Sequence, residues 1–167
     1  MDRVIKNEGL IFPPVSSEAL NGERVTLPVD AQGYVTLIVI AFQRDAQRII
    51  DTWLVPFSRE FSHEQMVRIY EIPMIGSRMW KMIASVIDEG MRSGIPVEKH
   101  PFVVTYYGDI RPYVEKLGMD DLSTAYFFLL DRNGRIQWRS QGVSEQEGIA
   151  DLIQKTRDLL VRGLNKE

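Results

Sequence analysis

One uninterrupted run of apolar and β-branched residues, Tyr34 to Phe42, constrains the fold of this chain more than any other feature. The run reads YVTLIVIAF, and the polar segment QRDAQR follows it directly. A strand with no polar side has to be covered on both faces, which is typical of sheets flanked by helices. The run therefore predicts a central strand of an α/β protein.

Helical spacing begins soon after this strand. Apolar residues recur on one helical face at Ile49, Ile50, Trp53, Leu54, Phe57 and Phe61. Pro56 lies inside that pattern and predicts a kink or a break, because proline cannot donate the helical hydrogen bond.

Strand and helix patterns continue to alternate along the chain. Asn21-Gly22 predicts an early hairpin, QMVRIYEIP a strand, residues 78–91 a helix and FVVTYY a short strand. A helix ending at Gly118, a hairpin around Asn133-Gly134 and a last amphipathic helix complete the order. We predict an α/β fold with a mixed central sheet and helices on both faces, in one domain of residues 1–167 with an extended arm at 1–19.

Composition argues against several classes of protein. The formal net charge is −3, from 20 basic and 23 acidic residues, and no basic block suggests nucleic-acid binding. The apolar run is far shorter than the roughly 20 residues of a transmembrane helix, and no signal peptide is visible. We therefore expect a cytoplasmic or membrane-peripheral protein, and the sequence leaves its oligomeric state open.

The chain contains no cysteine, which excludes disulfides, iron–sulfur clusters and thiol chemistry. His63 and His100 lack the partner spacing of a metal site. No phosphate-binding glycine motif and no serine-nucleophile motif is present. We expect no catalytic residue, no metal and no cofactor.

Polar residues just beyond a buried strand are candidates for binding, because open α/β sheets place ligands at that edge. The candidates here are Gln43, Arg44, Asp45, Gln47, Arg48 and Asp51. The alternative is ordinary helix capping and solvation.

Methionines provide a second group of candidates. Met82 falls off the core face of its predicted helix, and Met74 lies in the apolar, loop-like stretch Ile72 to Ile75. Exposed methionines suit loose contact with a hydrophobic client, whereas core packing is the alternative.

Two segments carry a family resemblance. AYFFLLDRNGRIQWRSQG resembles the late hairpin of the thioredoxin-like superfamily, and LNGERVTL with YVTLIVIAF resembles the first hairpin and core strand of its peroxiredoxin-like branch. The resemblance implies a thioredoxin-like fold, but QRDAQR occupies the position of the redox cysteines. Ala125 occupies the position of the cis-proline, and we predict a trans bond there because a cis alanine bond costs about 2.5–4 kcal/mol.

A narrower resemblance is to the thioredoxin-like assembly factor of mitochondrial ATP synthase. It is carried by the helix DAQRIIDTWLVPF, by the methionine- and tryptophan-containing helix after YEIPMIG, and by Trp138 and Gly142 in DRNGRIQWRSQG. The resemblance implies a redox-inactive chaperone that binds a hydrophobic or membrane-protein client. The alternatives are a peroxiredoxin- or thioredoxin-like enzyme whose redox cysteines are lost or replaced, and a dimeric structural module.

Overall fold

The protein is described by a computed structural model that covers residues 7–76 and 80–164. Strands and helices alternate along most of the chain. The elements are β1 (Val15–Glu18), β2 (Arg24–Leu27), β3 (Val35–Ala41), α1 (Gln47–Phe61), β4 (Val67–Ile75), α2 (Trp80–Gly94), β5 (Tyr106–Tyr107), α3 (Arg111–Leu117), β6 (Ala125–Leu130), β7 (Ile136–Gln141) and α4 (Gln146–Leu164).

A five-stranded mixed sheet in the order β5-β4-β3-β6-β7 forms the centre of the protein. The strand β3 lies in the middle, parallel to β4 and antiparallel to β6. Its residues from Val35 to Ile40 are buried, which confirms the central strand predicted from the apolar run. A separate antiparallel hairpin joins β1 to β2.

Helices cover both faces of the sheet, as predicted. On one face, Trp53 and Phe57 of α1 and Leu152 of α4 pack against Leu37 and Val39 of β3. On the other face, the β1–β2 hairpin and Leu117 of α3 pack against the alternate β3 residues Ile38 and Ile40. Because alternate side chains of a strand point to opposite faces, β3 contributes to two separate cores. The division into one domain of residues 1–167 with an arm at 1–19 stays a prediction.

Of the kink or break predicted at Pro56, the break is wrong, because α1 runs without interruption from Gln47 to Phe61, while the kink stays a prediction. Proline has no N–H to donate to the carbonyl four residues earlier, which belongs to Thr52. The Ser144 hydroxyl donates to that carbonyl over 2.8 Å. The acceptor that Pro56 leaves free is therefore satisfied from outside the helix.

The strand predicted at FVVTYY is shorter than expected. Residues Val97–Phe102 form a 3₁₀ helix, and β5 is limited to Tyr106 and Tyr107. In the neighbouring strand, Pro73 cannot donate to a ladder, which weakens pairing along that edge of the sheet. Among the described residues, no helix is long and apolar enough to cross a bilayer.

Candidate functional site

Three chain segments meet where β3 ends. The register pairs Ala41 at the end of β3 with Ala125 at the start of β6, and Tyr126 with Gln141 at the end of β7. The segment after β3, the residues before β6 and the turn after β7 therefore lie at one edge of the sheet.

The predicted polar residues lie at this edge, and all of them are exposed. Gln43 is extended, Arg44–Ala46 form a 3₁₀ turn, and Gln47 begins α1. Gln47 Nε2 donates to Asp51 Oδ1 over 2.9 Å, so these two side chains stabilise one turn of the helix surface. The structure does not gather all the candidates into one cluster.

Asp45 and Arg48 are the candidates that line a hollow. Its other walls are Ile49 and Thr52 of α1, Ser123 before β6 and Val143 after β7, and its volume is about 430 Å³. Val143, in the turn after β7, is 64% exposed and gives the hollow an apolar side. We call this depression the strand-end hollow.

Trp53 holds the turn that carries Val143. The indole Nε1–H donates to the Gly142 carbonyl oxygen over 2.7 Å, and the buried ring packs on Phe127 and Trp138 with centroid distances of 5.2 and 5.4 Å. Gly148 allows α4 to approach the indole, because a Cβ there would stand 3.0 Å from Cη2. Three residues from the family-like motifs, Trp53, Trp138 and Gly142, thus form one supporting cluster.

Thr52 and Ser144 fasten α1 to the segment that precedes α4. The Ser144 amide donates to Thr52 Oγ1 over 3.0 Å, in addition to the hydroxyl bond to the Thr52 carbonyl. Sequence reasoning missed this pair, because residues 92 positions apart give no local signal. The missing N–H of Pro56 is the one hint that an outside donor was required.

A second hollow lies beyond this pair, between α1 and α4. We call it the helix groove, and its volume is about 440 Å³. It is lined by Pro56, Ser144, Glu145, Gln146, Ile149, Ala150 and Ile153. Since Thr52 lines the first hollow and Ser144 the second, the bonded pair stands between them.

The methionine candidate Met74 does not extend this surface as predicted. Ile72 to Ile75 is not a loop, because β4 continues to Ile75. Met74 is only 1% exposed and alternates with Tyr70 and Ile72 into the core, so it is corrected to a core residue. The side chain of Met82 lies outside the described residues, and its proposed role stays a prediction.

Ala125 is fully buried, and its peptide bond with Thr124 is trans, as predicted. Within the described part of the chain, the cis bond is at Leu27–Pro28. Ala125 pairs with Ala41 at the end of β3, and its equivalence to the cis-proline position stays a prediction.

One carboxyl group next to this region has a shifted pKa. Burial raises the pKa of Glu71 on β4, Lys99 lowers it to a smaller extent, and Asp51 raises it.

His100 is buried and its Nε2 lies 2.9 Å from the Ile95 carbonyl oxygen, whereas His63 is exposed. Residues 7–76 and 80–164 contain no group of three side chains placed to hold a metal ion.

Comparison with protein families gives a match over nearly the whole chain. The model of the family described as ATP10 protein matches residues 3–159. A search of curated proteins finds no match.

Solved structures with similar folds include several thiol-disulfide proteins. The thioredoxin domain of a thiol-disulfide oxidoreductase from Bacteroides vulgatus is 18% identical with a TM-score of 0.60, covering 89% of this chain and 96% of that one. A thiol:disulfide interchange protein from Bacteroides sp. is 19% identical with a TM-score of 0.57, covering 90% and 88%. BsSco, a member of the Sco family of cytochrome c oxidase assembly proteins, is 14% identical with a TM-score of 0.58, covering 93% and 96%. These likenesses show a thioredoxin-like fold.

Proposed function

We propose that this chain, which belongs to the ATP10 protein family of ATP synthase assembly factors, acts by binding a client polypeptide and not by catalysing a reaction. The family match over residues 3–159 is the observation that carries the proposal. It covers both hollows and the residues that support them. The client that we propose is hydrophobic, such as a membrane subunit of the complex being assembled.

The surface at the strand ends is consistent with binding. The chain keeps a thioredoxin-like framework but has no cysteine, so the thiol chemistry of that framework is not available to it. Exposed polar residues such as Asp45 and Arg48 border apolar side chains, including Val143 and Ile49. An apolar centre with a polar rim is typical of protein interfaces.

A photo-crosslinking residue at Val143 tests this proposal in cells that assemble ATP synthase. We expect Val143 to crosslink to an ATP synthase subunit, identified by mass spectrometry. The matched control is Val97, which is 75% exposed. It precedes β5, the edge strand on the other side of the sheet from β7. Equal yields from both positions, or no ATP synthase subunit from Val143, would count against the proposal.

A further inference from the structure

We infer that Asn21 is a site of spontaneous modification, where the side-chain amide is converted to aspartate and isoaspartate, whereas Asn133 is protected from the same reaction. Each of these asparagines precedes a glycine at the tip of a hairpin. The inference concerns the chemistry of the two turns and does not depend on the proposed function.

The reaction needs an asparagine, the backbone amide that follows it, and water. The amide nitrogen loses its proton to solvent, attacks the side-chain carbon Cγ and closes an imide ring, while the side-chain nitrogen takes up a proton and leaves as ammonia. Water then opens the ring at either carbonyl group, and the product is aspartate or isoaspartate with one new negative charge. Glycine in the following position favours the attack, because it has no Cβ to hinder the approach or restrict the backbone.

The two turns close in the same way. In each, the glycine amide donates to the carbonyl three residues earlier, and the amide of that earlier residue donates to the carbonyl just after the glycine. The two N···O distances are 2.9 and 2.8 Å around Gly22, and 3.0 and 2.9 Å around Gly134. The glycines have φ of +89° and +81°. The turns therefore form a matched pair, and a difference in their reactivity has to come from side chains and packing.

The side chain of Asn21 is held in a position that favours the reaction. Its Oδ1 accepts a hydrogen bond from the Glu23 amide over 3.0 Å, so the carboxamide folds back across the Gly22 peptide. When the Gly22 nitrogen attacks, negative charge develops on Oδ1, and a donor already bonded to that oxygen stabilises this charge. Residues 21–24 are all exposed, so water reaches the ring that forms.

The corresponding donor is bonded elsewhere in the second turn. The Arg135 amide donates to Asp131 Oδ1 over 3.0 Å, and the same oxygen accepts from the Asn133 amide over 2.9 Å. The first turn has Ala19 at the position of Asp131, and an alanine side chain cannot accept these bonds. The Asp131 carboxylate thus withholds the donor from Asn133 and fixes the backbone on both sides of Gly134.

Gly134 is also held more firmly than Gly22. It is buried, its carbonyl oxygen accepts from the Phe12 amide over 2.9 Å, and a Cβ there would stand 2.8 Å from the Pro28 ring. Gly22 is exposed, and a Cβ there would have only Glu18 Oε1 within 4 Å, at 3.8 Å. In both turns the bond of the glycine N–H has to open before the nitrogen can attack. The packing resists that movement at Gly134 and allows it at Gly22.

Incubation of the purified full chain at mildly alkaline pH tests the inference, because both turns then experience the same solution. Peptide mapping by mass spectrometry measures the asparagine left at each position, and an isoaspartyl methyltransferase detects isoaspartate. We expect Asn21 to convert at least about tenfold faster than Asn133, since one hydrogen bond to a developing charge is worth about that factor. In denaturant both turns are lost and the reacting dipeptide is the same, so the two rates should agree within about threefold.

Two variants separate the side-chain effects. Asp131→Ala gives the second turn the residue type of the first and releases the Arg135 amide. Asn133 should then convert at least about threefold faster, whereas the rate at Asn21 should not change. Asn21→Gln is the control and should leave no detectable product at that position, because glutamine would have to close a larger ring. Circular dichroism confirms that each variant is folded, and if Asp131→Ala is not, the ratio in the original chain still decides.

The ratio of the two rates decides the outcome. Equal conversion of Asn21 and Asn133 in the folded chain would overturn the inference. A ratio that persists unchanged in denaturant would also overturn it, because the sequence neighbours and not the folded turns would then set the rates. A large ratio that disappears in denaturant would support it.

Discussion

Replacing Trp53 by phenylalanine should lower the free energy of unfolding by about 2–3 kcal/mol. The indole is 2% exposed, and its N–H donates to the Gly142 carbonyl oxygen over 2.7 Å. Phenylalanine keeps an aromatic ring on Phe127 but has no donor. The change therefore removes the bond that holds the turn before Val143 and leaves a smaller ring beside Gly148.

The magnitude comes from three contributions. The lost hydrogen bond costs about 1 kcal/mol, because Gly142 is only half-buried and water can reach its carbonyl oxygen in part. The smaller ring buries roughly 40 Å² less apolar surface, which is about 1 kcal/mol. The space left beside Gly148 adds up to about 1 kcal/mol, depending on how far the helix relaxes.

Urea unfolding followed by circular dichroism measures this loss. With a slope of about 1–3 kcal/mol per M, the midpoint should fall by roughly 1 M or more. Trp138→Phe is the control, because within the described residues its indole donates no hydrogen bond, and it should cost only about 1 kcal/mol. Equal losses for the two variants would refute the importance of the Trp53 bond. Faster amide hydrogen exchange at Val143 and Ser144 in Trp53→Phe alone would support it.

Three further substitutions test the framework. Gly134→Ala should cost about 2–4 kcal/mol, because Gly134 has φ +81° and an added Cβ would stand 2.8 Å from the Pro28 ring. Gly33→Ala, with φ +90° and no atom within 4 Å, should cost only about 1–2 kcal/mol, and urea unfolding compares the two. Burial raises the pKa of Glu71 above its ordinary value of 4.5, so its folded form binds protons more readily and its contribution to stability falls as pH rises through the raised pKa. The change in unfolding free energy caused by Glu71→Gln should therefore be more stabilising at pH 7 than at pH 4. If the variant and the original chain show the same pH dependence of unfolding, this prediction is contradicted.

The elements with strong local patterns could be predicted from the sequence. The apolar run predicts β3, and two apolar stretches around Asn133-Gly134 predict the β6–β7 hairpin. Both predictions succeed because strand burial and turn type depend on residues that are consecutive in the chain. The end of β4 could not be placed, because Pro73 is a common strand terminator and masks the alternation that continues from Ile72 to Met74. That alternation was the available signal for Met74 as a core residue.

The candidate site could be placed only in part. The position of Asp45 and Arg48 beyond the end of β3 follows from the order of strand and helix, and the structure has them there beside a hollow. Val143 and the walls of the helix groove could not be predicted as neighbours of that edge. They depend on where α4 crosses α1, and this is fixed by contacts between distant residues such as Thr52 and Ser144.

These distant contacts connect the core to the proposed binding surface. Trp53 fixes Gly142, Thr52 fixes Ser144, and Val143 between them lines the strand-end hollow. A surface whose shape is fixed before binding loses less conformational entropy when a client arrives than one that must be ordered by the client. Trp53→Phe should then weaken client capture at Val143 although Trp53 is buried and cannot touch a client, whereas Trp138→Phe should leave that capture nearly unchanged. Equal capture by both folded variants would mean that the turn keeps its shape without the indole bond, and that the hollow owes its form to the Thr52–Ser144 pair alone.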